Sequence, residues 1–169
     1  MKLKHRNDLA RLATERGVTT AAEIGVHKGR FSDVLLTCET LTKLVMVDPW
    51  GDFRGQDGDR IYRDLRKKYR YDVRVEFCRE YSVVAAREVR PYLFDLVYID
   101  GDHRQEAVAE DLRAWWPKAA PGCIFAGHDY CRRHDYGVIE AVDEFFEACG
   151  RVVDVIDDGN WPTWWVLKC

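Results

Sequence analysis

Apolar positions along the chain follow two alternating patterns. One has the 3.6-residue spacing of a helix face; the other is the short, nearly continuous run of a buried strand. The first helix is predicted over 7–17, with Leu9, Leu12 and Ala13 on one face and Gly17 as its stop. A strand over 20–26 follows, then a helix over 29–38 with Phe31, Val34, Leu35 and Cys38 on one side. A second strand over 43–48 leads through a Gly- and Asp-rich loop, 49–59, into a helix over 60–69. A third strand over 73–78 precedes a short helix over 82–89. The fourth strand covers 94–100. The helix after it carries Val108, Leu112 and Trp115 at helical spacing, and Pro117 ends it. The fifth strand covers 122–127. The helix over 137–150 turns Val138, Val142, Phe145 and Cys149 one way, with Gly150 as its stop. Strands over 151–157 and 163–169, joined by a turn at 157–162, close the chain as a hairpin.

This β/α alternation predicts an α/β fold: a parallel sheet with helices on both faces and right-handed crossovers. The final hairpin makes one edge strand antiparallel. Neither a repeat nor a linker interrupts the pattern, so residues 1–169 read as one domain.

In open α/β sheets, ligands sit at the carboxyl ends of the strands, near the topological switch point. The strand endings therefore hold the candidate chemistry. The first strand ends "EIGVHKG", with Glu23, Gly25 and Gly29. This is E-x-G-x-x-x-G, not the dinucleotide fingerprint G-x-G-x-x-G. Gly25 permits a tight turn, and Gly29 opens the next helix without a side chain to obstruct a ligand. A carboxylate at 23 would repel a pyrophosphate but suits an ammonium or sulfonium charge. The second strand ends in Asp48, placed to bind the hydroxyls of a ribose or, alternatively, to cap a turn before Pro49. The fourth ends "LVYIDGDH" and the fifth "CIFAGHDY". Both pass from an apolar run to acids and histidines.

Composition narrows the field. The 169 residues are 47% hydrophobic and 33% charged, with a net charge of -3, which gives no electrostatic reason to expect a nucleic-acid partner. The basic run Arg66 to Arg70 reads as a solvated helix face. No apolar stretch has membrane-spanning length and the N-terminus does not read as a signal peptide, so the expectation is a cytoplasmic protein with no membrane partner. Six cysteines without a CxxC pair argue against a zinc knuckle and read mostly as small hydrophobes.

The blocks "EIGVHKGRFS", "VMVDPW", "YIDGDHRQEAVAEDLRAWWPKAAPG" and "FAGHDY" together resemble the class I S-adenosylmethionine-dependent methyltransferases. Within them, the closest likeness is to the small-domain group with D-G-D-H after strand four and G-H-D-Y after strand five. The resemblance covers about residues 21–169. It implies a Rossmann-like doubly wound sheet of seven strands in the order 3-2-1-4-5-7-6, with strand seven antiparallel. It also implies that Glu23, Gly25 and Gly29 shape the pocket for the cofactor's amino-acid end. Asp48 would hold the ribose, Ser82 within "CREYS" would lie at the adenine, and Asp100 would border the cofactor. Cys123 departs from the family's pattern, which has a glycine there.

Asp100, His103, His128 and Asp129 end adjacent strands, and three readings apply. In the first, Asp100 and Asp129 hold a divalent cation such as Mg²⁺, with His128 or Asp102 as a third ligand. In the second, His103 is a general base; sugar enzymes in the family use the histidine of D-x-x-H in that way, and Asp100 and His103 have that spacing. In the third, Asp100 and Asp102 merely cap the next helix and His128 and Asp129 satisfy loop backbone.

The expected activity is methyl transfer to a hydroxyl of a small molecule or sugar. The alternatives are a non-catalytic nucleoside-binding protein of the same fold and an NAD-dependent oxidoreductase. Little chain is left over to enclose an acceptor, so the acceptor is exposed or a second subunit of a homodimer completes its pocket. His27 reads as near the cofactor or at the surface, and His5 and His134 as surface residues. Among Trp161, Trp164 and Trp165, one or two belong in the core. Trp161 reads as acceptor-lining or dimer-forming, and Trp50 with Phe53 as a cover over the cofactor.

Overall fold

The computed structural model describes residues 3–52, 55–133, 136–157 and 159–169. Its elements run α1 (Asp8–Glu15), β1 (Thr20–Ile24), α2 (Arg30–Leu35), β2 (Lys43–Val47), α3 (Gly58–Lys68), β3 (Val75–Cys78) and α4 (Ser82–Glu88). They continue β4 (Phe94–Ile99), α5 (Gln105–Trp115), a 3₁₀ turn Trp116–Lys118, β5 (Ala119–Gly127), α6 (Val138–Ala148), β6 (Asp154–Ile156) and β7 (Thr163–Leu167). The sheet has the order β3-β2-β1-β4-β5-β7-β6. Strands β1 to β5 pair in parallel, and β7 runs antiparallel to both its neighbours. The alternation predicted the parallel α/β sheet, and the strand order is the Rossmann-like one that the resemblance implies.

Successive strand residues point to opposite faces, so each inner strand feeds two cores. In β4, Val97 and Ile99 join Ala86, Leu112 and Phe146 of α4, α5 and α6. Leu96 and Tyr98 join Leu9, Phe31 and Leu65 of α1, α2 and α3. The order reverses between β1 and β4, and there the backbone ladder runs one step past the strands. The Asp100 N–H donates to the Ile24 carbonyl at 2.7 Å, and the His128 N–H to the Ile99 carbonyl at 3.0 Å. Gly25, Asp100 and His128 are thereby brought level at one edge.

Several elements differ from expectation. Helix α6 buries Val138, Ala141, Val142 and Phe146, while Phe145 is half-buried and Cys149 exposed. The helix ends at Ala148, so Cys149 lies past its last packed turn, and Gly150 takes φ +66° beyond it. Strand β5 begins at Ala119 rather than 122 because its pairing with β4 shifts register between Phe94 and Leu96, opposite Pro121 and Gly122. Strand β6 keeps only three residues, since it has a partner on one side alone. Helix α3 starts at Gly58, where the Asp57 carboxylate accepts the Arg60 N–H at 2.8 Å. Cys38 and Cys123 are buried as small hydrophobes, but Cys149 and Cys169 are exposed. Trp164 is the fully buried member of the tryptophan cluster. Among the described residues, no helix is long and apolar enough to cross a membrane.

Candidate active site

A cavity of about 1100 Å³ opens at the carboxyl ends of β1, β2 and β4. Its centre is the close approach of β1 and β4. Gly25 adopts φ +86°, and a Cβ there would collide with the Asp100 carbonyl. Gly29 adopts φ +68° behind the cavity wall, where a Cβ would press on Leu65 and the Tyr69 hydroxyl. The positive φ itself, with Leu65 and Tyr69 packed close by, demands glycine at 29.

Glu23 is 1% exposed and takes a short hydrogen bond from the Ser32 hydroxyl. Burial raises its pKa to about 8; the Ser32 bond opposes the rise, and the nearby Asp100 and Asp48 carboxylates add to it. Asp48 accepts the His27 N–H at 2.8 Å and the Trp50 N–H at 2.6 Å on separate oxygens. The Trp50 indole in turn donates to the His27 carbonyl at 3.0 Å. His27 and Trp50 both hold positive φ, so Asp48 clamps a strained loop against the cavity. The turn-capping role open to Asp48 is therefore real, and its carboxylate also lines the cavity.

At the far end, the Ser82 hydroxyl donates to Asp111 and accepts from the Trp115 indole at 2.8 Å. Asp111 is 5% exposed, and burial raises its pKa to about 6 against the opposing Ser82 bond.

On the other side of Gly25, Asp100, His103 and Asp129 converge, and one donor atom from each lies within 4.8 Å of the others. His103 Nε2 stands 2.6 Å from Asp129 Oδ2 and 3.5 Å from Asp100 Oδ1. The contact is close but poorly directed, and this buried nitrogen makes no well-aligned hydrogen bond. Burial disfavours the imidazolium, yet the two carboxylates outweigh it and raise the His103 pKa to about 9. Burial likewise opposes ionisation of Asp129, but the adjacent His103 and His128 rings hold its pKa well below the ordinary value. For Asp100 burial wins, and its pKa is raised. His128 Nδ1 lies 3.1 Å from Asp129 Oδ1 and 3.7 Å from Asp100 Oδ2, while its Nε2 meets the Arg6 guanidinium at 2.9 Å. Arginine only donates, so Nε2 accepts and the ring proton sits on Nδ1, toward the carboxylates. Two carboxylates crowded together offer oxygen donors that fit a hard divalent cation such as Mg²⁺, while the His103 nitrogen among them suits a borderline one.

A family model described as a methyltransferase domain matches residues 22–130, a span that includes Glu23, Asp48, Asp100 and Asp129. The chain belongs to the methyltransferase-domain family. With its strand order, it is a class I S-adenosylmethionine-dependent methyltransferase domain. Among similar solved structures is the O-methyltransferase from Bacillus cereus in complex with SAH, with TM-score 0.69 and 17% identity, covering 96% of this chain and 80% of that one. The O-methyltransferase TomG from Streptomyces achromogenes, in complex with SAM, gives TM-score 0.69 and 18% identity over 96% and 79%. Spermidine synthase from Thermotoga maritima gives TM-score 0.70 and 14% identity over 96% of this chain, which spans 59% of the synthase's length. At these identities the likeness is one of fold. None of the curated proteins compared matches the chain by sequence.

In this methyltransferase domain, Glu23, Asp48, Ser82, Asp100, His103 and His128 all line the one cavity, with Gly25 at its centre. Asp129 meets His103 at its edge. Asp102 also borders the cavity, but it pairs with Arg104 at 2.6 Å and is not in the converging group of Asp100, His103 and Asp129. The capping reading falls away for Asp100, whose carboxylate faces the histidines, but Asp102 accepts the Arg104 N–H at 3.0 Å where the chain enters α5. Trp50 lines the cavity as part of its packed wall. It is 3% exposed and packed on Tyr62 and Phe77, with ring centroids 4.9 and 5.9 Å away. Phe53 and His134 lie outside the described residues. His27 is exposed on the cavity rim, and His5 is at the surface as expected.

Sequence reasoning missed three site residues. Asp111 had a signal: an acid at a core-facing position among Val108, Leu112 and Trp115. Tyr136 stacks on His103 with ring centroids 4.5 Å apart, and the Trp161 ring stands 6.2 Å beyond it. Neither Tyr136 nor Arg6 had a local signal, because each meets the site only through the fold.

Proposed function

We propose that this domain transfers the methyl group of S-adenosylmethionine to a hydroxyl of a small molecule or sugar. The observation that carries the reading is the meeting of Asp100, His103 and Asp129 at one side of a cavity whose other side is lined by Glu23 and Asp48. Two fold neighbours, both O-methyltransferases, carry SAH or SAM, which supports the cofactor and the class of acceptor. In this reading the cofactor's ammonium faces Glu23, its ribose Asp48 and its base Ser82.

The C–S bond breaks to leave S-adenosylhomocysteine, an O–C bond forms, and the acceptor hydroxyl loses its proton. The sulfonium is already electrophilic, so the protein's task is alignment and proton removal. His103 is the proton carrier. While both carboxylates are free of a cation they raise its pKa to about 9 and hold it mostly protonated at pH 7; a cation on Asp100 and Asp129 would favour its basic form. Tyr136 holds its ring plane from one side. Asp100 and Asp129 would hold Mg²⁺ or another divalent cation, which when bound supplies Lewis acidity to the hydroxyl. His128, with Nε2 engaged by Arg6, would orient Asp129 rather than serve as the primary ligand.

An NAD-dependent oxidoreductase is set aside because the matching family is one of methyltransferases. The test is His103→Ala against a panel of hydroxylated acceptors, with cofactor affinity measured separately. Turnover should fall at least about 100-fold while S-adenosylmethionine affinity changes by less than about threefold. Equal losses in both, or turnover that is unchanged, would overturn the assignment.

A further inference from the structure

The segment before α1 reaches the side of the cavity where Asp100, His103 and Asp129 meet. Leu3 is buried, and the Asp8 carboxylate accepts the Lys4 and His5 N–H groups at 2.8 and 3.2 Å. The Leu9 N–H donates to the Arg6 carbonyl at 3.0 Å. These bonds fasten the segment to the start of the helix. The Arg6 guanidinium lies 5.6 Å from the centroid of the Phe31 ring, and Phe31 is stacked on Tyr98 at 3.9 Å. From that seat its Nη1 meets His128 Nε2 at 2.9 Å, and Arg6 is itself part of the cavity wall.

This contact decides the state of the His128 ring. A guanidinium only donates, so Nε2 accepts and Nδ1 carries the proton. Nδ1 lies 3.1 Å from Asp129 Oδ1, while the other oxygen, Oδ2, lies 2.6 Å from His103 Nε2. The two imidazoles thus occupy separate oxygens of one carboxylate. Asp129 is buried and holds φ +57°, a left-handed backbone that surrounding contacts must maintain. With the ring proton on Nε2 instead, His128 would present a lone pair to Asp129 Oδ1. Acceptor would then face acceptor, and the carboxylate would turn away from the position that aims it at His103.

We infer that Arg6 is a positioning residue: by donating to His128 Nε2 it keeps the ring proton on Nδ1, and through Asp129 it sets the direction of His103. The N-terminal segment thereby belongs to the active site, although Arg6 and His128 are 122 positions apart. The inference rests on the reading of His103 as the proton carrier. An aspartate that orients a basic histidine is a familiar arrangement; here that aspartate is itself held by a second histidine and an arginine.

The test uses Arg6→Met, which keeps an apolar stem on Phe31 but cannot donate, and Arg6→Lys, which can. One donor at 2.9 Å does not need the guanidinium fork, so lysine suffices. Nitrogen-15 spectra of the imidazole rings show which nitrogen carries the proton, and the chain has only five histidines to assign. In the cation-free wild type, His128 should be protonated at Nδ1 and not at Nε2. Arg6→Met should bring the proton onto Nε2 and shift the His103 ring signals, and Arg6→Lys should restore both. With Mg²⁺ present, turnover of the hydroxylated acceptor that the wild type uses best should fall about 10- to 100-fold in Arg6→Met, the usual cost of removing a group that orients a site from behind. It should return to within about threefold of the wild type in Arg6→Lys, and S-adenosylhomocysteine affinity by calorimetry should stay within about threefold throughout. An unmoved His128 proton in Arg6→Met overturns the inference, and so does a moved proton with full turnover. Turnover that stays low in Arg6→Lys, with the proton back on Nδ1, overturns it as well. If Arg6→Met does not fold, Arg6→Gln, whose side chain is too short to reach His128, replaces it. A wild type that turns over no hydroxylated acceptor sinks the methyl-transfer reading; the His128 and His103 ring signals then still decide whether Arg6 sets the relay.

Discussion

Glu23 makes cofactor affinity depend on pH in a direction that can be worked out beforehand. Its carboxyl is buried and has a pKa of about 8 in the free protein. The α-amino group of a free amino acid titrates near the same value, about 7.7–8.0. An ion pair needs the acid ionised and the amine protonated. Below pH 8 the amine is ready but Glu23 must first release a proton. Each unit of pH then costs about tenfold in the ionised fraction, or 1.36 kcal/mol. Between pH 8 and pH 6 that is about 50-fold, reduced to about 25-fold because the amine becomes fully protonated over the same range. Above pH 8 the ligand amine loses its proton and affinity falls again. Calorimetry in two buffers of different ionisation enthalpy should show close to one proton released on binding S-adenosylmethionine at pH 6. Glu23→Gln should remove the acid limb, binding about as weakly at pH 8 as at pH 6. The same shift acts on stability. A carboxyl whose folded pKa is raised stabilises the fold only while protonated, so the free protein should lose stability as pH climbs from about 4.5 through 8, and Glu23→Gln should flatten that loss. Wild-type affinity constant from pH 6 to pH 8, with no proton released, would refute the reasoning.

Gly25→Ala should cost about 2–4 kcal/mol, from the positive φ and the collision with the Asp100 carbonyl, and lower Tm by roughly 5–12 °C in a thermal melt. Asp95 lies away from the cavity and accepts hydrogen bonds from the backbone and hydroxyls of Thr19 and Thr20 at 2.8–3.1 Å. Asp95→Ala should cost about 2–3 kcal/mol in urea denaturation without altering cofactor affinity. Burial opposes its ionisation but those bonds lower its pKa, so the stabilisation is present above the ordinary carboxylate value and lost as pH falls through the lowered one. Asp129→Asn should weaken Mg²⁺ binding at least tenfold in a titration with the cation alone, and equal binding by both chains would exclude Asp129 as a ligand.

The alternation of strands and helices was legible because burial imposes its period directly on the residues. The polar endings at Asp48, Asp100 and Asp129 were legible for a related reason: a strand that stays apolar until its last residue must leave the core there. Even Asp111 was marked, as an acid on an apolar helix face, although nothing local says that Ser82, 29 positions earlier, would meet it.

The partners were beyond reach of the sequence. Arg6 finds His128 across 122 positions, and Tyr136 finds His103 only because the chain after β5 folds back over the start of α5. Trp50 belongs to a packed aromatic cluster, where its position in a loop suggested a cover. Asp102 was an alternative third ligand beside Asp100 and Asp129 until the end of β4 set Asp100 against the histidines and Asp102 against Arg104. Periodicity tells which face of an element is buried, and that much the amino-acid sequence determined by itself. Which side chains then meet, and so which acids share a proton or point at a ligand, is set by the register of strands far apart in the chain, and only the tertiary structure decides it.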